Sequence, residues 1–212
     1  MDLVDLFFHL DRHLNEWAAQ LGPWLYGVLF LIVFCETGLV VTPFLPGDSL
    51  LFAVGALAAA EGSTLSLPLL FALLVLASVA GDAANYAIGS RVGPRIFRRE
   101  DSWFFHKRHL ERAQRFYERH GGKAIVLARF LPILRTFAPF VAGIGRMSYP
   151  RFALFNVAGG LTWVAVFLLG GHAFGNLPLV KYNFHYVVLA IVALSCAPLA
   201  IEFLLSRRGT RA

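Results

Sequence analysis

The chain has 212 residues, of which 58% are hydrophobic and only 15% charged, and its mean hydropathy of +0.64 lies well outside the balance of soluble domains. Several stretches of about 18 to 25 residues carry one charge or none, the length needed to cross a hydrocarbon core, so a soluble globule is excluded and a polytopic membrane protein is implied. The net charge of +6 points to topology and not to nucleic acid, because 10 of the 19 Lys and Arg lie between Arg91 and Lys123 and three more are Arg207, Arg208 and Arg211.

Residues 1–22 open with Asp2 and Asp5 where a signal peptide would be basic. Leu3, Phe7, Leu10, Leu14, Trp17 and Leu21 recur at helical spacing with Asp11, Arg12, His13, Glu16 and Gln20 largely on the other side, which predicts an amphipathic helix lying in the interface, with a helix packed against the bundle as the alternative. Residues 23–206 form a single membrane domain. Within it Trp24 to Val41 is apolar apart from Glu36. The stretch over about 43–61 is apolar apart from Asp48 but is interrupted by Pro43, Pro46, Gly47 and Gly55, which suits a re-entrant hairpin better than a straight span. Leu67 to Ser90 is a full span broken only by Gly81-Asp82, and residues 91–123 are the basic segment. A second interrupted stretch, about 123–145, holds Arg129, Pro132, Arg135, Pro139 and Gly143 and reads as a second hairpin. Phe152 to Phe174 is an uncharged span, Phe184 to Leu205 a last one with Pro198 and Glu202, and residues 207–212 are a basic tail.

Lys and Arg near span ends are retained in the cytoplasm, which places residues 91–123 inside. A second hairpin that returns to the cytoplasm keeps Arg146 and Arg151 inside too, and the parity then puts both termini in the cytoplasm. Thiols introduced at positions 103 and 210 are therefore expected to resist an impermeant reagent in intact cells; labelling of both from outside would overturn the two-hairpin topology. The hairpins echo each other, Phe44-Leu45-Pro46 against Phe130-Leu131-Pro132. The expected fold class is an all-α polytopic membrane protein: an inverted repeat with two opposed re-entrant hairpins, about four transmembrane helices and the N-terminal amphipathic helix, the arrangement with which transporters build a site near the midplane.

Glu36, Asp48, Arg129 and Arg135 all fall in intramembrane segments, where an unpaired charge costs about 2.5–3.5 kcal/mol on insertion scales. Structural ion pairing is one reading of them, and a polar site at the hairpin tips is the other. The guanidinium fork of Arg129 and Arg135 matches an anionic headgroup, above all phosphate. Burial opposes ionisation of Glu36 and Asp48 while a nearby arginine favours it, so these acids are suited to load and release a proton. Pro46, Gly47, Pro132 and Pro139 break the helices around the charges. Asp82 and Asn85 on one face of the third segment with Tyr86 close by, and Asn156, Thr162 and Trp163 later, read as polar contacts between helices in preference to a wet lining. So do the small-residue pairs Gly89/Gly93 and Gly171/Gly175. Cys35 and Cys196 lie in apolar segments and suggest neither a disulfide nor a metal site, and no cofactor is expected.

Glu36-Thr37-Gly38, Pro43-Phe44-Leu45-Pro46-Gly47-Asp48, Gly81-Asp82 with Tyr86 and Gly89, and Arg129-Phe130-Leu131-Pro132 running to Arg135, Pro139 and Ala142-Gly143 occur in that order. Over about residues 24–175 this resembles the DedA family of bacterial inner-membrane proteins, whose core is also called the SNARE-associated or VTT domain. The resemblance implies a multi-pass protein of the bacterial cytoplasmic membrane that transports lipids or lipid carriers such as undecaprenyl phosphate, in dependence on the proton motive force. It also implies functional roles for Glu36, Asp48, Arg129 and Arg135.

The expected function is a proton-coupled flippase or scramblase for lipid phosphates, in which Arg129 and Arg135 hold the phosphate and Glu36 and Asp48 exchange protons. A proton-linked exchanger of small cations for pH homeostasis is the runner-up, though it has less use for two arginines. A membrane lipid phosphatase lacks an evident nucleophile set, so no enzyme is expected. The expected partners are a lipid phosphate or phospholipid, protons and the bilayer, with a homodimer as the assembly considered and no nucleic acid.

Overall fold

The computed structural model describes residues 22–39, 47–60, 63–96, 121–145 and 147–175, together with the isolated positions 177, 186, 187 and 190. The stretch expected to form the N-terminal amphipathic helix, the residues around Pro46, most of the basic segment, most of the expected last span and the tail lie outside the described residues. Every regular element among the described residues is helical. In chain order these are α1 (Trp24–Gly38), α2 (Gly47–Ala59), α3 (Leu67–Ile96), α4 (Lys123–Ala128), α5 (Pro132–Ile144) and α6 (Tyr149–Val164); α6 runs through a π-helical turn (Ala165–Leu169) into α7 (Gly170–Phe174).

Two helical stretches, Leu67–Val92 and Tyr149–Phe174, are each 26 residues long and apolar enough to cross a membrane. At a rise of about 1.5 Å per residue each reaches about 39 Å. Both exceed the spans expected from hydropathy, because their polar ends remain helical. By contrast α2 and α5 are 13 residues each, about 20 Å, too short to cross a hydrocarbon core of about 30 Å alone. The first begins directly after Phe44-Leu45-Pro46, and the second begins on the proline of Phe130-Leu131-Pro132.

The distribution of polarity is the reverse of a soluble protein's. Glu36, Asp82, Asn85, Arg129, Arg135 and Asn156 are buried, while Leu76, Leu127 and Leu154 are 60%, 65% and 67% exposed. Leucines outward and ionisable groups inward is what a hydrocarbon solvent demands.

By contact the chain divides into two compact units. The first gathers residues 1–29, 46–73 and 164–212. Here α2 lies directly against the π-helical turn and α7. A side-chain carbon on Gly55 would collide with the Leu168 carbonyl, and one on Gly171 with the Phe52 carbonyl, so only glycine permits this approach. Gly175 is equally close to Ala56, so the Gly171/Gly175 spacing marks a real helix contact. Asp48 is buried in the first turn of α2, where the helix dipole favours a carboxylate.

The second unit gathers residues 30–45 and 74–163. Its axis is α3. On one side Gly81 meets the Phe34 carbonyl and the Thr37 hydroxyl of α1, and a Cβ on Gly38 would come within 3.3 Å of Gly81 Cα. On another, Gly89 meets the Phe140 carbonyl of α5 and Gly143 of α5 meets the Tyr86 carbonyl. Tyr86 anchors this end: its ring stacks on Phe152 with centroids 4.4 Å apart, and its hydroxyl donates to the Met147 carbonyl. Gly121, at φ +59°, turns the chain into α4.

Candidate functional site

The break between α4 and α5 follows from its sequence. Pro132 occupies the opening of α5 and forces the residue before it out of helical geometry, and Leu131 is accordingly extended at φ −118°, ψ 108°. Ahead of it the chain tightens into i→i+3 bonds, Arg129 N–H to the Val126 carbonyl at 3.3 Å and Phe130 N–H to that of Leu127 at 3.2 Å. Arg129 therefore leaves the end of one helix and Arg135 the first turn of the next. Pro139, buried in the interior of α5, has no N–H to offer the Arg135 carbonyl one turn back, which loosens the helix where Arg135 sits.

Each arginine has its own carboxylate. Arg129, 1% exposed, donates from Nη2 to Asp82 Oδ2 at 2.5 Å and to Asn156 Oδ1 at 2.5 Å, and from Nη1 to Ser78 Oγ. Asn156 Nδ2 in turn donates to the Val79 carbonyl at 3.0 Å, which fixes α6 to α3. The guanidinium lies over Gly159 and Gly160 of α6; a Cβ on Gly159 would stand 2.9 Å from Arg129 Cδ. Gly159 thus opens the slot that the arginine fills, while Gly160 lets α6 approach Val79 and Ser78 of α3.

Arg135 instead donates from Nη2 to Glu36 Oε1 of α1, a buried ion pair joining residues 99 apart in sequence. The Trp163 ring of α6 lies under its guanidinium at 4.9 Å, a cation–π contact that holds the charge whichever anion faces it. Beside this pair, Asn85 Nδ2 donates to the Thr37 carbonyl at 3.2 Å and to the Thr136 carbonyl at 2.7 Å.

Of the residues singled out in the sequence, Glu36, Asp82, Asn85, Arg129, Arg135 and Asn156 come together in this one unit. Asp48 belongs to the other unit, Tyr86 follows Asn85 in this unit but packs on Phe152 and bonds to the Met147 carbonyl, and Pro46 lies outside the described residues. Gly47 opens α2 in that other unit. Thr162 is exposed and bonds back to the Ala158 carbonyl of its own helix at 2.8 Å, so it is not the interhelical contact its residue type suggested. Three contributors were not legible as such. Ser78 stands one helical turn before Asp82, a spacing that could have flagged it. Gly159-Gly160 was a visible pair without a visible purpose. Trp163 was read as a contact between helices, but that its partner is the Arg135 guanidinium left no local signal.

The comparisons with known proteins agree with this picture. The family model described as the VTT domain matches residues 45–173. The chain is 50% identical to Protein DedA of Escherichia coli K12 over 207 residues, covering 98% of this chain and 94% of that protein. It is 44% identical to an uncharacterised membrane protein of Mycobacterium tuberculosis over 201 residues, covering 95% and 86%. It is 36% identical to Inner membrane protein YqjA of Escherichia coli K12 over 162 residues, covering 75% and 72%. No solved structure matches the chain. With the ordered motifs, the outward-facing leucines and these matches in hand, the chain is a membrane protein of the DedA family carrying a VTT domain.

Proposed function

We propose that the protein carries the phosphate headgroup of a lipid, such as undecaprenyl phosphate or a phospholipid, across the bacterial inner membrane, with proton exchange at Glu36 and Asp48 as the coupling. The observation that carries this reading is the buried Glu36–Arg135 pair beside a helix break. A carboxylate and a phosphate are alternative partners for one guanidinium. When Glu36 is ionised it holds Arg135; when Glu36 takes a proton its hold weakens, and Arg135 can take a phosphate while Trp163 keeps its charge in place. Release of the proton lets Glu36 reclaim the arginine and expel the headgroup. Arg129, bound by Asp82 and Asn156, contributes a fixed positive charge close to the break. The tail stays in lipid throughout and no covalent bond changes, so this is a transporter and not an enzyme.

The test is binding of a short-chain prenyl phosphate to the purified protein, with the uncharged prenol and inorganic phosphate as controls. Arg135→Lys keeps the charge but loses the fork and should weaken binding about tenfold, and Arg135→Ala about a hundredfold, as expected for losing charge-assisted hydrogen bonds. The prenol should be indifferent to both changes. Unchanged prenyl phosphate affinity in Arg135→Ala would sink the proposal.

A further inference from the structure

Asn85 is buried in the middle of α3, and its amide nitrogen meets two carbonyl oxygens, those of Thr37 and Thr136. Because both contacts are acceptors, the atom between them is the nitrogen, and both of its hydrogens are used. Thr37 follows Glu36 and Thr136 follows Arg135. One side chain therefore ties together the backbones that carry the two halves of the ion pair, immediately beside each half.

We infer that Asn85 is a positioning residue, a backbone clamp that sets the separation of Glu36 and Arg135 and so how firmly the carboxylate holds the guanidinium. Neither carbonyl can be bridged by an apolar side chain or by an ionised carboxylate, which has no hydrogen to give. Asn is the shortest side chain that offers two donors from a single planar nitrogen. The close approach of Gly81 to α1 and of Gly89 to α5 brings both backbones within reach of that short side chain. Without the clamp the side chains of Glu36 and Arg135 remain, but the bonds that tie their two backbones through one side chain are lost.

The clamp makes a prediction opposite to that of simple damage. On the transport reading above, phosphate competes with Glu36 for Arg135, so loosening the pair should raise phosphate affinity. Asn85→Leu, with the same branching but no donor, should bind short-chain prenyl phosphate about fivefold more tightly, the factor that about 1 kcal/mol of lost hydrogen bonding gives. It should add nothing further in a Glu36→Gln background, where the competitor is already gone. Asn85→Val, smaller and likewise without a donor, adds no charge beside the pair; it should act in the same direction and guards against a folding failure of the leucine variant.

A second measurement does not depend on transport. Spin labels at Leu39 and Phe137, both exposed and close in sequence to the two clamped residues, report the separation of α1 and α5 in the full chain with Cys35 and Cys196 replaced by Ala. A narrow distance distribution is expected with Asn85 and a shifted or broadened one in both variants. Unchanged distances in both variants would overturn the clamp whatever happens to binding, and so would phosphate affinity that falls equally in both backgrounds. Altered distances with unchanged phosphate affinity would uphold the clamp and count instead against the phosphate reading.

Discussion

Replacing Asp82 with leucine should lower the stability of the purified protein by about 3–5 kcal/mol, because it leaves the Arg129 guanidinium buried without a counter-charge. The aspartate is the only carboxylate recorded against Arg129 among the described residues, and both groups are 1% exposed. For a chain of this size such a loss corresponds to a fall in melting temperature of about 10 °C in detergent. The double replacement Asp82→Leu/Arg129→Met removes both charges and fills the space with apolar groups. It should recover most of the loss, since a buried pair and a well-packed hydrophobic substitute are often close in energy. Ser78 and Asn156 then lose a donor, which leaves a smaller residual cost. A double variant no more stable than Asp82→Leu would show that the arginine is not held chiefly by charge.

The second large effect falls on transport. Glu36→Gln keeps the shape of the side chain but cannot ionise, so lipid-phosphate transport should drop to background while the protein still reaches the membrane and binds prenyl phosphate more tightly. Asp48→Asn, in the other unit, should also abolish transport if its carboxylate carries a coupled proton. Full activity of both amide variants would remove the proton coupling. A further combination separates function from scaffolding. If Arg135 serves only to neutralise Glu36, the double variant Glu36→Gln/Arg135→Ala should regain transport, since neither charge is then left alone. Regained transport in that variant would return the pair to a structural role.

The helices and the intramembrane charges were legible in the sequence because each depends on local chemistry: long apolar runs, prolines that cannot continue a helix, and charges whose cost in hydrocarbon is high wherever they sit. The resemblance to the DedA family likewise rested on motifs that are contiguous in sequence. What could not be read was the pairing. Four charges of two signs do not say which acid meets which base, and Arg129 takes Asp82, a residue that looked like a contact between helices. That choice is made by a slot over Gly159-Gly160 and by the turn of α3 that faces it, both products of tertiary packing. The Asn85 bonds were hidden for the same reason: their acceptors are backbone carbonyls, which every residue carries and no sequence distinguishes.

Asp82 and Asn85 are three residues apart on α3 and so stand on one face of one helix. One holds Arg129, and the other holds the backbones beside Glu36 and Arg135. Rotation of α3 about its own long axis is therefore a single coordinate that both arginines share. By thermodynamic reciprocity, whatever phosphate binding at Arg135 does to the grip of Asp82 on Arg129, tightening that grip must do to phosphate binding in equal measure. The two ion pairs are in this way joined by a common shaft, and a ligand that engages one is felt at the other.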